Sequence, residues 1–194
     1  ARPGLPLAAE ERGRFDLAHA RFLLEHTHDP RAVVAEMVSA VRPGGRIILE
    51  DDNHDAMRLW PEPPGFRSLW GAYVRTYDRL GNDPYVGHRL VSLLHEAGAK
   101  PVRSTWIFFG GCSGEATFSA HVDNLIGVVD SAREHIIGDG LLSTETYELG
   151  IESLVRWKAR PDAALWFAIS WAEGRRPSLA RESFSNPAGS ESAR

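Results

Sequence analysis

Apolar residues recur along this chain in two rhythms, short continuous runs and stripes at helical spacing, and their alternation predicts an α/β fold. Phe15 to Ala18 is a short apolar run carrying one acid, which predicts a strand buried on both faces. Asp29 and Pro30 follow as a cap and a first-turn proline, the pair that starts a helix at least cost. Val33, Val34, Met37, Val38 and Val41 then form one apolar stripe. Pro43, Gly44 and Gly45 stop that helix, and Arg46 to Glu50 begins a second strand through Ile47, Ile48 and Leu49. A strand, a helix of about three turns and a strand joined by short links predict a right-handed crossover between parallel neighbours.

The pattern continues in the same two rhythms. Pro61, Pro63, Pro64 and Gly65 make a rigid loop, after which Phe66, Leu69, Trp70, Tyr73, Tyr77 and Leu80 predict a helix. Asn82-Asp83-Pro84 repeats the cap-and-proline device, and Val86, Leu90, Leu93, Leu94 and Ala97 predict a helix ending at Gly98. Val102 to Phe109 reads as a strand, and Phe118 to Ile136 as one long amphipathic helix ending at 138–140. Ser143 or Thr144 caps a further helix through Tyr147, Ile151, Leu154 and Val155, and Ala164 to Trp171 is the last strand. From Arg175 large apolar residues become scarce, so 175–194 is expected to be a disordered tail.

Composition narrows the classes. The 194 residues suffice for one substantial core, and a net charge of -4 gives no electrostatic reason to expect nucleic acid or an anionic membrane surface as partner. Cys112 is the only cysteine, which excludes an internal disulfide and points to a reducing, cytoplasmic setting. No apolar run reaches the roughly 20 residues of a spanning helix.

Candidate chemistry gathers after the second strand, where Glu50-Asp51-Asp52-Asn53-His54-Asp55 lies at a carboxyl end, the usual ligand edge of an open α/β sheet. Asp51, Asp52 or His54 suits a substrate-orienting or proton-accepting role; the same oxygens suit Mg²⁺, or they simply cap and solvate a loop. The aromatic helix is either a core stripe or a lid whose Tyr73 and Tyr77 hydroxyls seek partners. His26-Thr27-His28-Asp29 has the beginning of a zinc pattern, but Pro30 stands where a third histidine belongs and Asp29 is better explained as a cap. Cys112 with His121 lacks an orienting acid, so Cys112 reads as a small turn residue.

The phrases FDLAHARFLLEH, then DP, then RPGGRIILED, in that order and separation, resemble the fourth strand, fourth helix and fifth strand of class I S-adenosylmethionine-dependent methyltransferases, particularly the small-molecule group called type 11. NDPYVGHRLVSLLHEAGA resembles the helix before that family's sixth strand. The resemblance implies a Rossmann-like sheet, here strands four to seven with helices on both faces, a domain over 1–174, and a helical cap insertion over 116–159 that is also a candidate homodimer surface. It implies S-adenosylmethionine as cofactor and a small-molecule methyl acceptor. The loop His19-Ala20-Arg21 is the implied cofactor contact, unless Arg21 merely pairs with a surface acid such as Glu25. His54 and Asp52 are the candidate bases, and Asp51, Tyr73, Tyr77 and Tyr85 the candidate substrate contacts. The family's metal-dependent members need an acid where this chain has His19, so no metal is expected. Residues 1–14 look like the end of the segment before the fourth strand, and the glycines at 81–87 and 110–114 do not fit G-x-G-x-x-G. The expectation is therefore a C-terminal portion of such an enzyme, inactive by itself, with an uncovered apolar edge at Phe15 that favours self-association. A non-catalytic module that keeps the fold for oligomerisation is the rival expectation.

Overall fold

The structure, a computed structural model, describes residues 8–178. Its frame is an open four-stranded sheet: β1 (Phe15–Arg21), β2 (Val41–Trp60), β3 (Lys100–Cys112) and β4 (Ala164–Arg175), in the order β1-β2-β4-β3. β1 and β2 are parallel, with Leu17 opposite Arg46 and Arg21 opposite Glu50, while β4 runs antiparallel to both of its neighbours. The parallel pair is joined by α1 (Pro30–Ala40), whose first turn is closed by the Asp29 side chain accepting from Ala32 N at 3.0 Å. A helical crossover between parallel neighbours is thus present.

Two apolar clusters hold the sheet. On one face α1 and α3 (Leu90–Glu96) bury Val34, Val38 and Leu94 against Ile47 and Leu49 of β2. α3 comes so close to β4 that a Cβ on Gly174 would stand 2.9 Å from a Leu94 methyl, which only glycine avoids. The second cluster gathers α2 (Phe66–Leu80), α4 (Phe118–Ser131), α5 (Arg133–Gly138) and α6 (Thr144–Lys158) around Leu59 and Leu165 at the far ends of β2 and β4. α4 reaches the other face of the sheet there, with His121 edge-on to Phe167 and Phe167 stacked on Phe109. Among the described residues no helix is long and apolar enough to cross a membrane.

Several expectations change. β1 is not buried on both faces: Ala20 is enclosed, but Phe15 and Leu17 are exposed at 47% and 45%, because α1 covers only one side of it. β2 does not end near Glu50. It continues to Trp60 through an irregularity between Asn53 and Arg58, so the acidic cluster lies in a strand and its side chains alternate between faces. The helix expected from Pro84 is a 3-10 turn over Val86–Arg89 followed by α3, and Asp83 accepts from Tyr85 N at 2.9 Å. The long helix breaks at Ala132 into α4 and α5. Arg175 ends β4, and Arg176 donates to the Ser39 and Val41 carbonyls, so the tail is anchored at its start. Residues 1–7 and 179–194, which include most of the expected tail, lie outside the described residues.

Candidate active site

Immediately after β1, Phe22 takes a left-handed φ of 50° while its N–H donates to Glu50 O at 3.0 Å. The chain then folds into a 3-10 turn, Leu24–His26, that carries Glu25 inward to 3% exposure. A buried carboxylate needs partners, and Glu25 has two: Oε2 lies 2.9 Å from His54 Nε2 and Oε1 lies 3.4 Å from His26 Nε2. His54 comes from the irregular stretch of β2 and is itself buried. Its ring centroid is 5.6 Å from Trp70, 5.7 Å from Tyr77 and 6.2 Å from Tyr73. These three share one face of α2 by their helical spacing. Trp70 Nε1 also donates to the His54 carbonyl at 3.0 Å, and the two tyrosine hydroxyls lie 3.2 Å apart. Burial pushes both phenol pKa values up, so the pair stays neutral.

This arrangement walls a cavity of about 350 Å³ between α2, α4 and the ends of β2 and β4. Asp52, Tyr73, Tyr77 and His54 line it, as do Phe22 and His121. Asp52 has its pKa raised, first by desolvation and then by Glu25, while His54, His26 and Arg21 act in the opposite direction. Glu25, Asp52 and His54 each offer a ligand atom within 4.8 Å of the others, although the Glu25–His54 hydrogen bond already engages two of the three.

Other candidates lie elsewhere. Asp51 points away from the cavity, is fully buried, and accepts from Leu24 N at 2.9 Å, which ties the turn to β2. Its Oδ1 has no partner, and burial followed by the nearby Glu25 pushes its pKa up to about 7. Tyr85 is exposed beside His88 and does not reach the cavity. His19, Ala20 and Arg21 belong to β1 itself and not to a loop beyond it: Ala20 faces the α1 core, while His19 and Arg21 both turn to Glu50, at 3.1 and 3.4 Å. Arg21 thus pairs with Glu50 and not with Glu25. Asp29 is the α1 cap, and Cys112 ends β3, exposed.

Glu25 is not legible in the sequence as a site residue, and His121 is legible only as a base for Cys112, which does not line the cavity. Glu25 sits in a surface-like turn motif, and its partner His54 is 29 positions away, so no local spacing joins them. His121 acquires its place in the cavity wall only when α4 meets Phe167.

Among known proteins, the chain is 30% identical over 88 residues to the methyltransferase str3 of Strobilurus tenacellus, covering 45% of this chain and 32% of that one. It is 40% identical over 47 residues to a ubiquinone biosynthesis O-methyltransferase of Xanthomonas axonopodis pv. citri, covering 24% of this chain and 20% of that one. The chain thus spans a fifth to a third of the length of these relatives. The solved structure of the YcgJ protein of Bacillus subtilis superposes with a TM-score of 0.44 at 14% identity, covering 90% of this chain and 69% of that one, a likeness that carries no functional argument. A family described as a methyltransferase domain matches residues 5–104, more than half of the sequence, and the chain belongs to that family.

Proposed function

We propose that the chain takes part in methyl transfer from S-adenosylmethionine to a small-molecule nucleophile, with the acceptor in the cavity beside His54. The observation that carries this reading is the buried Glu25–His54 pair opening on a cavity at the carboxyl end of parallel strands. Glu25 is a positioning residue. By accepting from Nε2 it fixes the tautomer and leaves Nδ1, which makes no hydrogen bond among the described residues, as the basic nitrogen. His54 then takes the acceptor's proton, while Trp70, Tyr73 and Tyr77 exclude water from the ring.

The cofactor's methionine end is placed at the carboxyl end of β1, where Phe22 and the turn Leu24–His26 border the cavity on the ligand edge of the sheet. Bound there, S-adenosylmethionine supplies a methyl group activated by a sulfonium. Transfer itself calls mainly for positioning and desolvation, and a base matters only for weakly acidic acceptors.

Calorimetry with S-adenosylhomocysteine tests the reading, on the chain together with any residues its gene encodes ahead of Ala1. Saturable heat is expected, and His54→Ala is expected to keep that heat while lowering transfer by about 100-fold or more. Absence of heat would favour a non-catalytic interaction module.

A further inference from the structure

The cavity has a one-sided charge. Its lining holds two carboxylates, Glu25 and Asp52, together with His26, His54 and His121, and no Lys or Arg among the described residues. Glu25 is engaged by two histidines. Asp52 lines the same space and makes no hydrogen bond or ion pair through its side chain among the described residues. An anionic ligand would meet Asp52 with no lysine or arginine in the cavity wall to offset it, and a neutral one would leave that carboxylate desolvated and without a hydrogen-bond partner. A cation relieves the cost. The rest of the wall suits the same ligand, since Trp70, Tyr73 and Tyr77 offer aromatic rings that attract cations, and Leu125, Leu165 and Phe167 offer apolar surface.

We propose that the cavity binds a primary or secondary amine in its ammonium form, carried on an apolar body of one or two rings, with the nitrogen paired to Asp52. The cavity is taken as the acceptor site of the methyl-transfer reading above, and the proposal rests on that reading only for the fate of the bound amine. A volume of about 350 Å³ takes an apolar body of one or two rings with a short chain, since a cavity of about 150 Å³ already holds a single benzene ring. An ammonium has no free lone pair, so before it acts as a nucleophile one N–H bond must break. The proton goes to His54 Nδ1, the N–H electron pair becomes the amine lone pair, and the positive charge moves to an imidazolium whose Nε2–H remains bonded to Glu25. Asp52 fixes the nitrogen and His54 takes its proton.

The test is calorimetric titration of the chain with phenethylamine, 2-phenylethanol and 3-phenylpropionate at one pH near neutrality. Phenethylamine is expected to bind at least about tenfold more tightly than the alcohol, and the carboxylate to give no heat. Asp52→Asn is expected to erase the preference for the amine while leaving the weak alcohol binding in place. Asp52→Glu, which keeps the charge, retains the preference, and this separates charge recognition from damage to the fold. Equal or tighter binding of the alcohol or carboxylate, no binding of the amine, or an amine preference that survives in Asp52→Asn would overturn the proposal. Displacement of phenethylamine by saturating S-adenosylmethionine would overturn it too, because Asp52 would then serve the sulfonium. An amine that binds and is never methylated by the chain together with any residues its gene encodes ahead of Ala1 would sink the methyl-transfer reading and leave the amine site standing; methylation of neutral acceptors alone would do the reverse.

Discussion

The two halves of β2 use the same backbone for opposite ends. From Ile47 to Leu49 the strand carries branched aliphatic residues, sits under α1 and α3, and forms a dry core in which Ile47, Leu49, Val34 and Leu94 are fully enclosed. From Glu50 to Asp55 the next residues are acids, an asparagine and a histidine, the ladder to β4 loosens after Asn53, and a cavity opens. Rigidity comes from the first half and chemistry from the second. The contrast teaches that a site needing buried charge is built where a strand leaves its partner, because the widened gap gives polar side chains room to find partners other than the sheet.

The difference is open to measurement. Leu94→Ala is expected to cost about 2–5 kcal/mol in urea denaturation, since nothing can refill the space between α3 and Gly174. Met57→Ala, at the cavity wall, is expected to cost about 1 kcal/mol or less, because water can occupy the vacated volume. Equal costs would erase the distinction between the halves.

Asp51 stands at the junction and gives the next largest effect. With its folded pKa raised from 3.8 to about 7, the folded chain holds a proton through that interval that the unfolded chain has lost. Stability from this group is therefore complete below the lower value and falls as pH rises through the upper, by something on the order of a few kcal/mol. Urea midpoints at about pH 4.5 and about pH 8 should show the decline, and Asp51→Asn should flatten it. A wild-type chain that grows more stable across the interval would place Asp51 in a different environment.

The smallest effect belongs to the bare face of the first half. Arg46 and Glu173 meet at 2.8 Å, and the guanidinium holds the Glu173 carboxyl below its usual pKa. Arg46 is nearly half exposed, so solvent screens the pair, and Arg46→Ala should move the urea midpoint less than any of the changes above. This contribution is present at neutral pH and is lost as pH falls through the lowered Glu173 value. A larger loss would mean that this face is covered in solution, as would self-association through the exposed Phe15 and Leu17 edge in light scattering.

Much of the frame was legible because its signals are local. Asp29-Pro30 specifies the start of α1, Phe66 to Leu80 specifies α2 at both ends, and two aliphatic runs joined by a short helix specify a parallel pair. The wrong boundaries fall where a neighbour overrides the local signal: β2 runs on through acids because β4 supplies a partner as far as Ala164. In the same way Phe15 and Leu17 are exposed although apolar, since burial depends on which face a helix happens to cover.

The sequence alone determined the element types, the parallel crossover and the family, because caps, breakers and apolar periods act within a few residues. Tertiary structure alone decided that Glu25 meets His54, that Asp52 faces an open cavity while its neighbour Asp51 is sealed in, and that Arg21 turns to Glu50. Those outcomes depend on strand alternation and on contacts across 29 or more positions, which no local pattern of residues encodes.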